Sequence, residues 1–581
     1  MDGSRSVRVR RVGVVLATIV SALGLVLVGT ARAAVSTCSF NPTTHVATAS
    51  LDPADTSTRD IDVVRSGTTV MFGQLGSEQA CGTVTTLDTM HIDMAGRNDF
   101  LMFDLGHGPF APGFTAEADG TSEIEFDVTN ATDPEQVVVL GSSGDDSITA
   151  GINRLPFPHL ETLQVFNLNA GQEGSGPDND IAVHGMPQTL SIALVGAGGN
   201  NHLSANGTGA GTGAGPLNNP VVFVQGTHDD VMVGGNGNDV FGADIGGDGV
   251  DSFSGGPGRD EMDMGSRNES MSVSLDGKAN DGIGCPGAQC EGDNIGADIE
   301  AVFTGFGNDT LTGGPGAQLL NPGPGDNTVS GGPGDDVIDI PESGADTVHG
   351  GFGFDAVTYE GHVDSDQGHQ LGVTVSLDGV ADDGVASLDE GDNIEPDVEA
   401  VYGTSGNDHL SGSSIPNSLY GELGDDVLLG GGGDDLLDGG GSRTGVGSPN
   451  DGDDTFLGGG GVDTVVEDGH SAGMRLSIDG LPNDVVVGVP AEGRDDIYTD
   501  VENVVGGPSG DTITGDDAAN RLSGGGGNDM IRGLGGADAL LGDAGDDTLA
   551  GGAGNDSLNG GVGTDICTQG AGTGSIKNCE D

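Results

Sequence analysis

Apolar residues recur at every ninth position in the C-terminal part of the chain, and each is flanked by small or polar residues. From Gly506 onward the series runs Ile513, Leu522, Ile531, Leu540, Leu549, Leu558 and Cys567. An α-helix turns through about 900° in nine residues, so successive apolar residues would lie half a turn apart. In one continuous strand the odd step would reverse the facing side. The period therefore predicts a solenoid in which each apolar residue faces inward from a short strand.

The residues between these apolar positions form a Gly-rich phrase such as "GGAGNDSLN" at 551–559. Glycine at positions one, two and four admits a positive φ and close backbone approach, which favours a tight turn over the first six residues. The last three residues are then a short strand, with position eight facing inward. Two phrases make one coil of about 18 residues, and stacked coils create parallel sheets.

Acidic residues dominate the composition, with 91 Asp and Glu against 18 Lys and Arg, and the formal net charge is -73. Stacked coils would bring the position-six acid of each turn against the turn one coil on, where the carboxylates repel one another. Ca²⁺ resolves this conflict, because it accepts about six to eight oxygen ligands in forgiving geometry, whereas Mg²⁺ demands a strict octahedron. The same acidity argues against nucleic acid as a partner, since phosphates would be repelled.

Four of the phrases carry a resemblance to a known family: "GGAGNDSLN", "GGGGNDMIR" (524–532), "GGNGNDVFG" (234–242) and "GGPGDDVID" (331–339). They resemble the RTX, or haemolysin-type, calcium-binding nonapeptide GGxGxDxUx, where U is apolar. The resemblance implies an all-β fold, a parallel β-roll or β-solenoid, with multiple Ca²⁺ ions held between turns. It also implies a chain that folds when it meets extracellular calcium.

The position-six aspartates are the candidate metal ligands, because each one lies at the end of a turn whose carbonyls supply further oxygens. They are Asp230, Asp239, Asp251, Asp260, Asp309, Asp336, Asp346, Asp355, Asp408, Asp426, Asp435, Asp454, Asp463, Asp511, Asp529, Asp538, Asp547, Asp556 and Asp565. At Gln318, Asn327, Asn417 and Asn520 an amide replaces the expected carboxylate, so weak or empty sites are expected there. The isolated Asp145 is interpreted as a turn residue without calcium.

A longer period lies over the nonapeptide. The spacers "VSLDGKANDG" (273–282), "VSLDGVADDG" (375–384) and "LSIDGLPNDV" (476–485) are each followed by an Asp-x-Glu triplet and a nonapeptide array. Alternating apolar residues predict that the spacers are strands with looped-out insertions. The predicted organisation is a signal peptide (1–33), a degenerate β-rich N-terminal cap (34–140), degenerate then regular repeats (141–270), three spacer-plus-array modules (271–372, 373–473 and 474–566) and a disulfide-capped tail (567–581).

The N-terminus has the pattern of an export signal. Arg5, Arg8, Arg10 and Arg11 precede an apolar run from Val12 to Val28, and Ala31-Arg32-Ala33 offers a small-residue cleavage site. A secreted, extracellular protein that begins near Ala34 is expected, without a membrane span after cleavage. A membrane anchor is the alternative, although the apolar run is shorter than the ~20 residues that a spanning helix needs.

The six cysteines predict disulfides, since the chain is expected to be exported. Sequence order makes Cys38–Cys81, Cys285–Cys290 and Cys567–Cys579 the simplest pairing. A zinc half-site at Cys285 and Cys290, and a buried thiol at Cys567, are the alternatives.

The chain has no HExxH zinc motif, no GxSxG nucleophile motif and no phosphate-binding P-loop, and its scattered histidines, such as His470, are interpreted as surface residues. A non-enzymatic calcium-binding protein with an extracellular structural or adhesive role is therefore predicted. Its expected partners are calcium ions, with cell-surface or extracellular polymers as a further candidate. A polysaccharide-active enzyme or a carbohydrate-binding accessory is the alternative, against which four tyrosines and no tryptophan weigh.

Overall fold

The computed structural model describes a protein built from strands. Over the part it describes there are fifty β-strands and no α-helix. The described residues run from 37 to 580, except for 51–59, 67–68, 75–78, 84–88, 94–99, 105–124, 130–135, 141–146, 155–161, 169–180, 184–191, 197–199, 207–215, 226–227, 243–248, 286–290, 342, 361–370, 386–387, 389, 441–451 and 488–493.

The strands divide between two compact units, an N-terminal unit up to Phe306 and a C-terminal unit from Gly307. The N-terminal unit contains β1 (Thr37–Asn41), β2 (Val46–Ser50), β3 (Asp60–Ser66), β4 (Thr69–Gln74), β5 (Gln79–Thr83), β6 (Thr89–Asp93), β7 (Phe100–Asp104), β8 (Glu125–Thr129), β9 (Gln136–Leu140), β10 (Ser147–Arg154), β11 (Thr162–Leu168), β12 (Ile181–Val183), β13 (Ile192–Val195), β14 (His202–Ser204), β15 (Val221–Val224), β16 (Val231–Val233), β17 (Val240–Gly242), β18 (Ser252–Ser254), β19 (Glu261–Asp263), β20 (Met271–Ser274), β21 (Ala279–Ile283), β22 (Asp293–Ile295) and β23 (Ala301–Phe303). The C-terminal unit contains β24 (Thr310–Thr312), β25 (Leu319–Asn321), β26 (Thr328–Pro333), β27 (Val337–Asp339), β28 (Thr347–Phe352), β29 (Ala356–Thr358), β30 (Thr374–Ser376), β31 (Asn393–Ile394), β32 (Ala400–Tyr402), β33 (His409–Ser411), β34 (Ser418–Tyr420), β35 (Val427–Gly432), β36 (Leu436–Asp438), β37 (Thr455–Gly460), β38 (Thr464–Val466), β39 (Met474–Ser477), β40 (Val485–Val486), β41 (Asp496–Ile497), β42 (Asn503–Val505), β43 (Thr512–Thr514), β44 (Arg521–Ser523), β45 (Met530–Gly535), β46 (Ala539–Leu541), β47 (Thr548–Ala553), β48 (Ser557–Asn559), β49 (Ile566–Ala571) and β50 (Ser575–Lys577).

The C-terminal unit is a parallel β-roll, which confirms the predicted fold. Strands one coil apart pair in parallel, so that Leu522 lies beside Leu540 and Leu540 beside Leu558, with equivalent core residues eighteen positions apart. These position-eight side chains are fully buried. Burial of each one stabilises the roll by about 1.5 to 3 kcal/mol. The nine-residue period therefore identified the inward-facing residues correctly, except that Cys567 at the end of the series is only partly buried.

The two sides of the roll differ in continuity. On one side, parallel pairing runs unbroken from β25 through β27, β29, β32, β34, β36, β38, β42, β44, β46 and β48 to β50. On the other side, the pairing forms three runs that end at β31, β41 and β49. The spacers therefore interrupt one side of the roll while the other side continues past them.

Each spacer leaves the roll as an antiparallel excursion and returns as a parallel strand. In the N-terminal unit, β20 pairs antiparallel with β21, and β22 then pairs in parallel with β18. In the C-terminal unit, β39 pairs antiparallel with β40, while β31 and β41 return beside β28 and β37. This arrangement matches the prediction of strands with looped-out insertions.

The predicted cap region begins with antiparallel pairs, β1 with β2 and β3 with β4. Pairing then becomes parallel, with β6 beside β2, β7 beside β3, and β9 beside both β7 and β13. The role of this region as a cap that limits the exposure of strand edges stays a prediction.

Two of the three predicted disulfides lie within the described residues and are confirmed. Cys38 is bonded to Cys81, with a Cα–Cα distance of 5.3 Å, and Cys567 is bonded to Cys579, with 5.9 Å. The alternative of a buried thiol at Cys567 is therefore wrong. Cys285 is also disulfide-bonded, but its predicted partner Cys290 lies outside the described residues.

Two further predictions fall on residues that the structure does not describe, the signal peptide at 1–33 and the turn at Asp145. Among the described residues there is no helix of the length and apolarity needed to cross a bilayer.

Candidate metal-binding turns

All nineteen predicted ligand aspartates are buried, each with at most 3% of its surface exposed. Ionised carboxylates are almost never buried to this degree unless a partner compensates the lost hydration. Their environment therefore has to supply donors or positive charge. The two carboxylate oxygens differ in this respect: Oδ1 accepts a main-chain hydrogen bond, whereas in most of these residues Oδ2 has no hydrogen-bond partner.

One oxygen of each ladder aspartate accepts a main-chain hydrogen bond from one coil away. The Asp511 amide donates to Oδ1 of Asp529 at 2.7 Å, the Asp529 amide to Oδ1 of Asp547 at 2.8 Å, and the Asp547 amide to Oδ1 of Asp565 at 2.9 Å. These bonds fix the register of neighbouring coils, and each one contributes about 1 kcal/mol or more because the acceptor is charged.

The same bond groups the predicted residues into rows along the roll. The rows are Asp230 with Asp251; Asp239 with Asp260; Asp309 with Asp346 through Asn327; Asp336 with Asp355; Asp408, Asp426 and Asp454; Asp435 with Asp463; Asp511, Asp529, Asp547 and Asp565; and Asp538 with Asp556.

The second oxygen, Oδ2, has no hydrogen-bond partner in twelve of the predicted residues. These are Asp260, Asp336, Asp346, Asp355, Asp426, Asp435, Asp463, Asp529, Asp538, Asp547, Asp556 and Asp565. A buried polar atom without a partner costs about 1 to 3 kcal/mol, and more when it is charged. Twelve repetitions of the same orphaned atom indicate a shared capacity to bind a cation rather than twelve independent defects.

The glycine at position one leaves room beside this orphaned oxygen. A Cβ atom added to Gly542 would lie 2.4 Å from Oδ2 of Asp547 and 2.3 Å from the carbonyl oxygen of Gly560 in the next coil. A Cβ on Gly551 would lie 2.3 Å from Oδ2 of Asp556. The space beside position one is therefore lined by a carboxylate oxygen and a main-chain carbonyl, and no side chain fits there.

Asn327 shows which other atoms face position six. Its Oδ1 accepts the ladder bond from the Asp309 amide, and its Nδ2 donates to the carbonyl oxygens of Gly323 at 2.8 Å and Gly325 at 2.9 Å. The carbonyls of positions two and four thus point at the second atom of the position-six side chain. Where that atom is a carboxylate oxygen, the two carbonyl oxygens and the carboxylate oxygen are all hydrogen-bond acceptors. A cation between them would satisfy all three.

Burial also alters the acidity of these carboxyl groups. It raises the pKa of Asp529 to about 7 and that of Asp426 to about 8, and neighbouring carboxylates raise both values further against the opposing effect of the ladder bond. At these two positions the shift is toward the protonated acid near neutral pH, as expected when carboxylates are desolvated beside one another.

Within the described residues, no three His, Cys, Asp or Glu side chains converge on one point. A cation at these turns would therefore take most of its ligands from main-chain carbonyls. Carboxylate and carbonyl oxygens in flexible turns suit Ca²⁺, whose coordination tolerates variable geometry, whereas imidazole and thiolate ligands favour transition metals. The donor set in these turns fits Ca²⁺.

A family model for the RTX calcium-binding nonapeptide repeat matches the chain at residues 226–262, 295–329, 321–339, 342–357, 402–437, 450–466, 505–540, 532–567 and 541–576. The chain is an RTX repeat protein. No curated protein matches the chain. The matched segments of this RTX chain contain the orphaned carboxylate oxygens described above.

The RTX ladder also includes spacer acids that the nonapeptide pattern does not identify. The amides of Asp251, Asp346 and Asp454 donate to Oδ1 of Asp293, Asp392 and Asp495, respectively, at 2.8 to 2.9 Å. Between 41 and 46 residues separate each of these pairs, instead of the usual 18. Each spacer therefore returns to the roll with an acid at the position that a repeat would have filled.

Glutamates occupy the ladder position on the other side of the RTX roll. Oε2 of Glu300, Glu399 and Glu502 accepts the amides of Asp260, Asp355 and Asp463, respectively, at 2.7 to 2.9 Å. The sequence signal for these acids is the Asp-x-Glu triplet that follows every spacer, although the triplet alone does not reveal its role.

The prediction that His470 is a surface residue is wrong. His470 has 4% of its side chain exposed, and its Nε2 lies 3.2 Å from Oε2 of the equally buried Glu467. At the corresponding position of the first spacer, Arg267 contacts Glu291 at 2.7 Å. Beside the first and third spacers of this RTX chain, a buried glutamate is thus paired with a basic side chain.

Proposed function

We propose that this RTX protein is exported, folds as calcium ions bind its turns, and serves outside the cell as a structural or adhesive component without catalysis. The observation that carries the proposal is the set of twelve buried carboxylate oxygens without a hydrogen-bond partner. When bound, Ca²⁺ would supply positive charge to these oxygens and to the carbonyls of positions two and four.

The residues of the chain account for the coupling between binding and folding. The ladder bond holds one carboxylate oxygen of each aspartate only when neighbouring coils are in register, so the second oxygen meets the carbonyls only in the folded roll. An ion that binds this arrangement but not the unfolded chain stabilises the fold in proportion to the logarithm of its concentration. Calcium at the roughly millimolar level found outside cells is sufficient for weak sites of this kind.

The disulfides Cys38–Cys81 and Cys567–Cys579 support an extracellular location, because such bonds persist in oxidising compartments. The basic and apolar pattern of residues 1–33 supports the same conclusion. Exposed acidic residues supply further oxygen ligands for calcium-bridged contacts with anionic surface polymers, which are the proposed partners.

The carbohydrate-directed alternative receives no support from the stacked aromatic pair of the roll. Tyr402 and Tyr420 lie with ring centroids 4.5 Å apart and an interplanar angle of 9°. Each ring therefore covers a face of the other. A sugar-binding platform presents an aromatic face to its ligand, so this pair favours a structural role.

Fractionation of the organism that makes the protein tests the proposed location. We expect the protein in the culture medium or on the cell surface, with an N-terminal sequence beginning at Ala34. If calcium-bridged contacts retain it, a wash with EDTA should release the surface fraction, whereas the same wash supplemented with excess calcium should not. Recovery of the uncleaved chain from inside cells alone would contradict the proposal.

A further inference from the structure

The residue at position two divides the turns of the roll into two conformations. In eleven turns that end in an aspartate it has a left-handed φ, between +66° and +113°. The position-two residues of these open turns are Gly256, Gly332, Gly351, Glu422, Gly431, Gly459, Gly525, Leu534, Asp543, Gly552 and Gly561. In every one of them, the position-six aspartate four residues later has an Oδ2 without a hydrogen-bond partner.

In six other turns, position two is not left-handed, and its amide donates to the position-six side chain of the same turn. The bonds have lengths of 2.6 to 3.1 Å and join Gly235 to Asp239, Gly314 to Gln318, Thr404 to Asp408, Ser413 to Asn417, Gly507 to Asp511, and Asp516 to Asn520. We call these closed turns, because the main chain occupies the oxygen that is orphaned in an open turn.

Glycine alone does not explain the open conformation, because three of the open turns have a residue with a Cβ at position two. Glu422, Leu534 and Asp543 have φ values of 76°, 71° and 66°, although a left-handed backbone costs a residue with a Cβ about 1 to 2 kcal/mol. Strained conformations of this kind persist where the surrounding structure demands them, and they cluster at ligand sites.

Four of the six closed turns lie in the first coil of an array. The turns ending at Asp408 and Asn417 are the first two after the second spacer, and those ending at Asp511 and Asn520 are the first two after the third. In the closed turn of Asp511, the Met474 amide donates to Oδ1 at 2.7 Å and the Gly507 amide to Oδ2 at 2.9 Å. Both oxygens of this buried carboxylate are therefore satisfied by main-chain donors.

We infer that the closed turns hold no calcium and that the arrays after the second and third spacers each begin with a metal-free coil on which the calcium-binding coils stack. This inference rests on the proposed function and specifies which turns carry it out. Asp239, Asp408 and Asp511 then hold the register of their coils without binding an ion. In the last array, calcium binds at the five open turns ending at Asp529, Asp538, Asp547, Asp556 and Asp565.

The turn that ends at Asn327 is a third case. Its position two is left-handed, as in an open turn, but the side-chain amide of Asn327 itself satisfies the carbonyls of the turn. Gly323 at position two has a φ of 64°, and Nδ2 of Asn327 already contacts the carbonyls of positions two and four. This amide supplies donors where a cation would lie. A carboxylate at the same position would recreate the orphaned oxygen and with it a calcium site.

Asp511 and Asp529 form a matched pair for testing the inference, since they are adjacent in one row and both are 2% exposed. The number of calcium ions bound at saturation is measured by equilibrium dialysis for the full chain and for D511N and D529N. D529N is expected to bind at least one ion fewer than the wild type, whereas D511N binds the same number. Far-UV circular dichroism at saturating calcium identifies any variant that fails to fold.

A reciprocal pair keeps the inference testable if D511N does not fold. N327D is expected to bind one ion more than the wild type, because it places a carboxylate in an open turn. N520D is expected to bind no additional ion, because its turn is closed by the Asp516 amide at 2.9 Å.

Equal losses in D511N and D529N, or an added ion in N520D, would overturn the inference while leaving the proposed function intact. A wild-type chain that binds no calcium would overturn the proposed function itself.

Discussion

In calcium-free buffer, the roll is expected to become more stable as the pH falls from about 8 to about 5. The reason is the desolvation of the ladder carboxyls, which raises the pKa of Asp426 to about 8 and that of Asp529 and Asp346 to about 7 from an ordinary value of 3.8. Protonation removes the charge that repels neighbouring coils.

The direction of this effect follows from proton binding in the two states. Because the pKa of each carboxyl is higher in the folded than in the unfolded chain, the folded chain binds more protons between pH 3.8 and about 7 or 8. The stability linked to these protons is fully present below the unfolded pKa and is lost as the pH rises through the folded pKa. Each pKa unit between the folded and the unfolded state corresponds to about 1.4 kcal/mol per group. Several groups together therefore change the free energy of unfolding by a large amount.

Calcium should reverse this dependence. In the calcium-loaded chain the carboxylates are ligands, and protons compete with the ion, so acid releases calcium and lowers stability. Far-UV circular dichroism in EDTA at several pH values reports the folded fraction without calcium, and urea unfolding at saturating calcium over the same pH range reports the stability of the loaded roll. Stability in EDTA that increases with pH over this interval would contradict the account.

Replacement of Gly554 by alanine is expected to destabilise the calcium-loaded roll by on the order of 4 kcal/mol, at the severe end for single substitutions. A Cβ at Gly554 would lie 1.4 Å from the carbonyl oxygen of Gly536 one coil away. Both atoms belong to stacked main chains, so the clash is relieved only by separating the coils that form neighbouring metal sites.

Gly480 provides the matched control in the same unit. It lies at the tip of a spacer hairpin with a φ of 65°, and the nearest atom to an added Cβ is Cδ1 of Tyr498 at 3.8 Å. G480A should cost only the left-handed backbone penalty of about 1 to 2 kcal/mol. Denaturant unfolding at saturating calcium compares the two variants. Equal, small losses would mean that coil stacking tolerates a side chain at position four.

The repeat period predicted the parts of this structure that depend on local sequence. Position eight faces the core and position six is buried, because a nine-residue unit with fixed glycines places them identically in each turn. The ladder bond was not predicted, because it joins residues 18 apart in sequence through stacking that only the folded roll creates. For the same reason the sequence did not identify Asp293 and Asp392 as ladder residues, since each joins the ladder only after a spacer excursion.

The sequence also did not predict the difference between open and closed turns. Gly235 and Gly256 are both glycines at position two, yet only Gly256 has a left-handed φ, of 86°. A glycine permits both conformations, and the neighbouring coil selects between them. The amides Gln318, Asn417 and Asn520, predicted as weak or empty sites from their lost charge, all lie in closed turns.

The central claim, that calcium completes the fold, is tested most directly by far-UV circular dichroism of the EDTA-treated full chain during titration with calcium chloride, with magnesium chloride in parallel. The account predicts little β signal in EDTA at neutral pH and a cooperative rise with calcium but not with magnesium. A chain that is fully folded in EDTA and unchanged by calcium would contradict it.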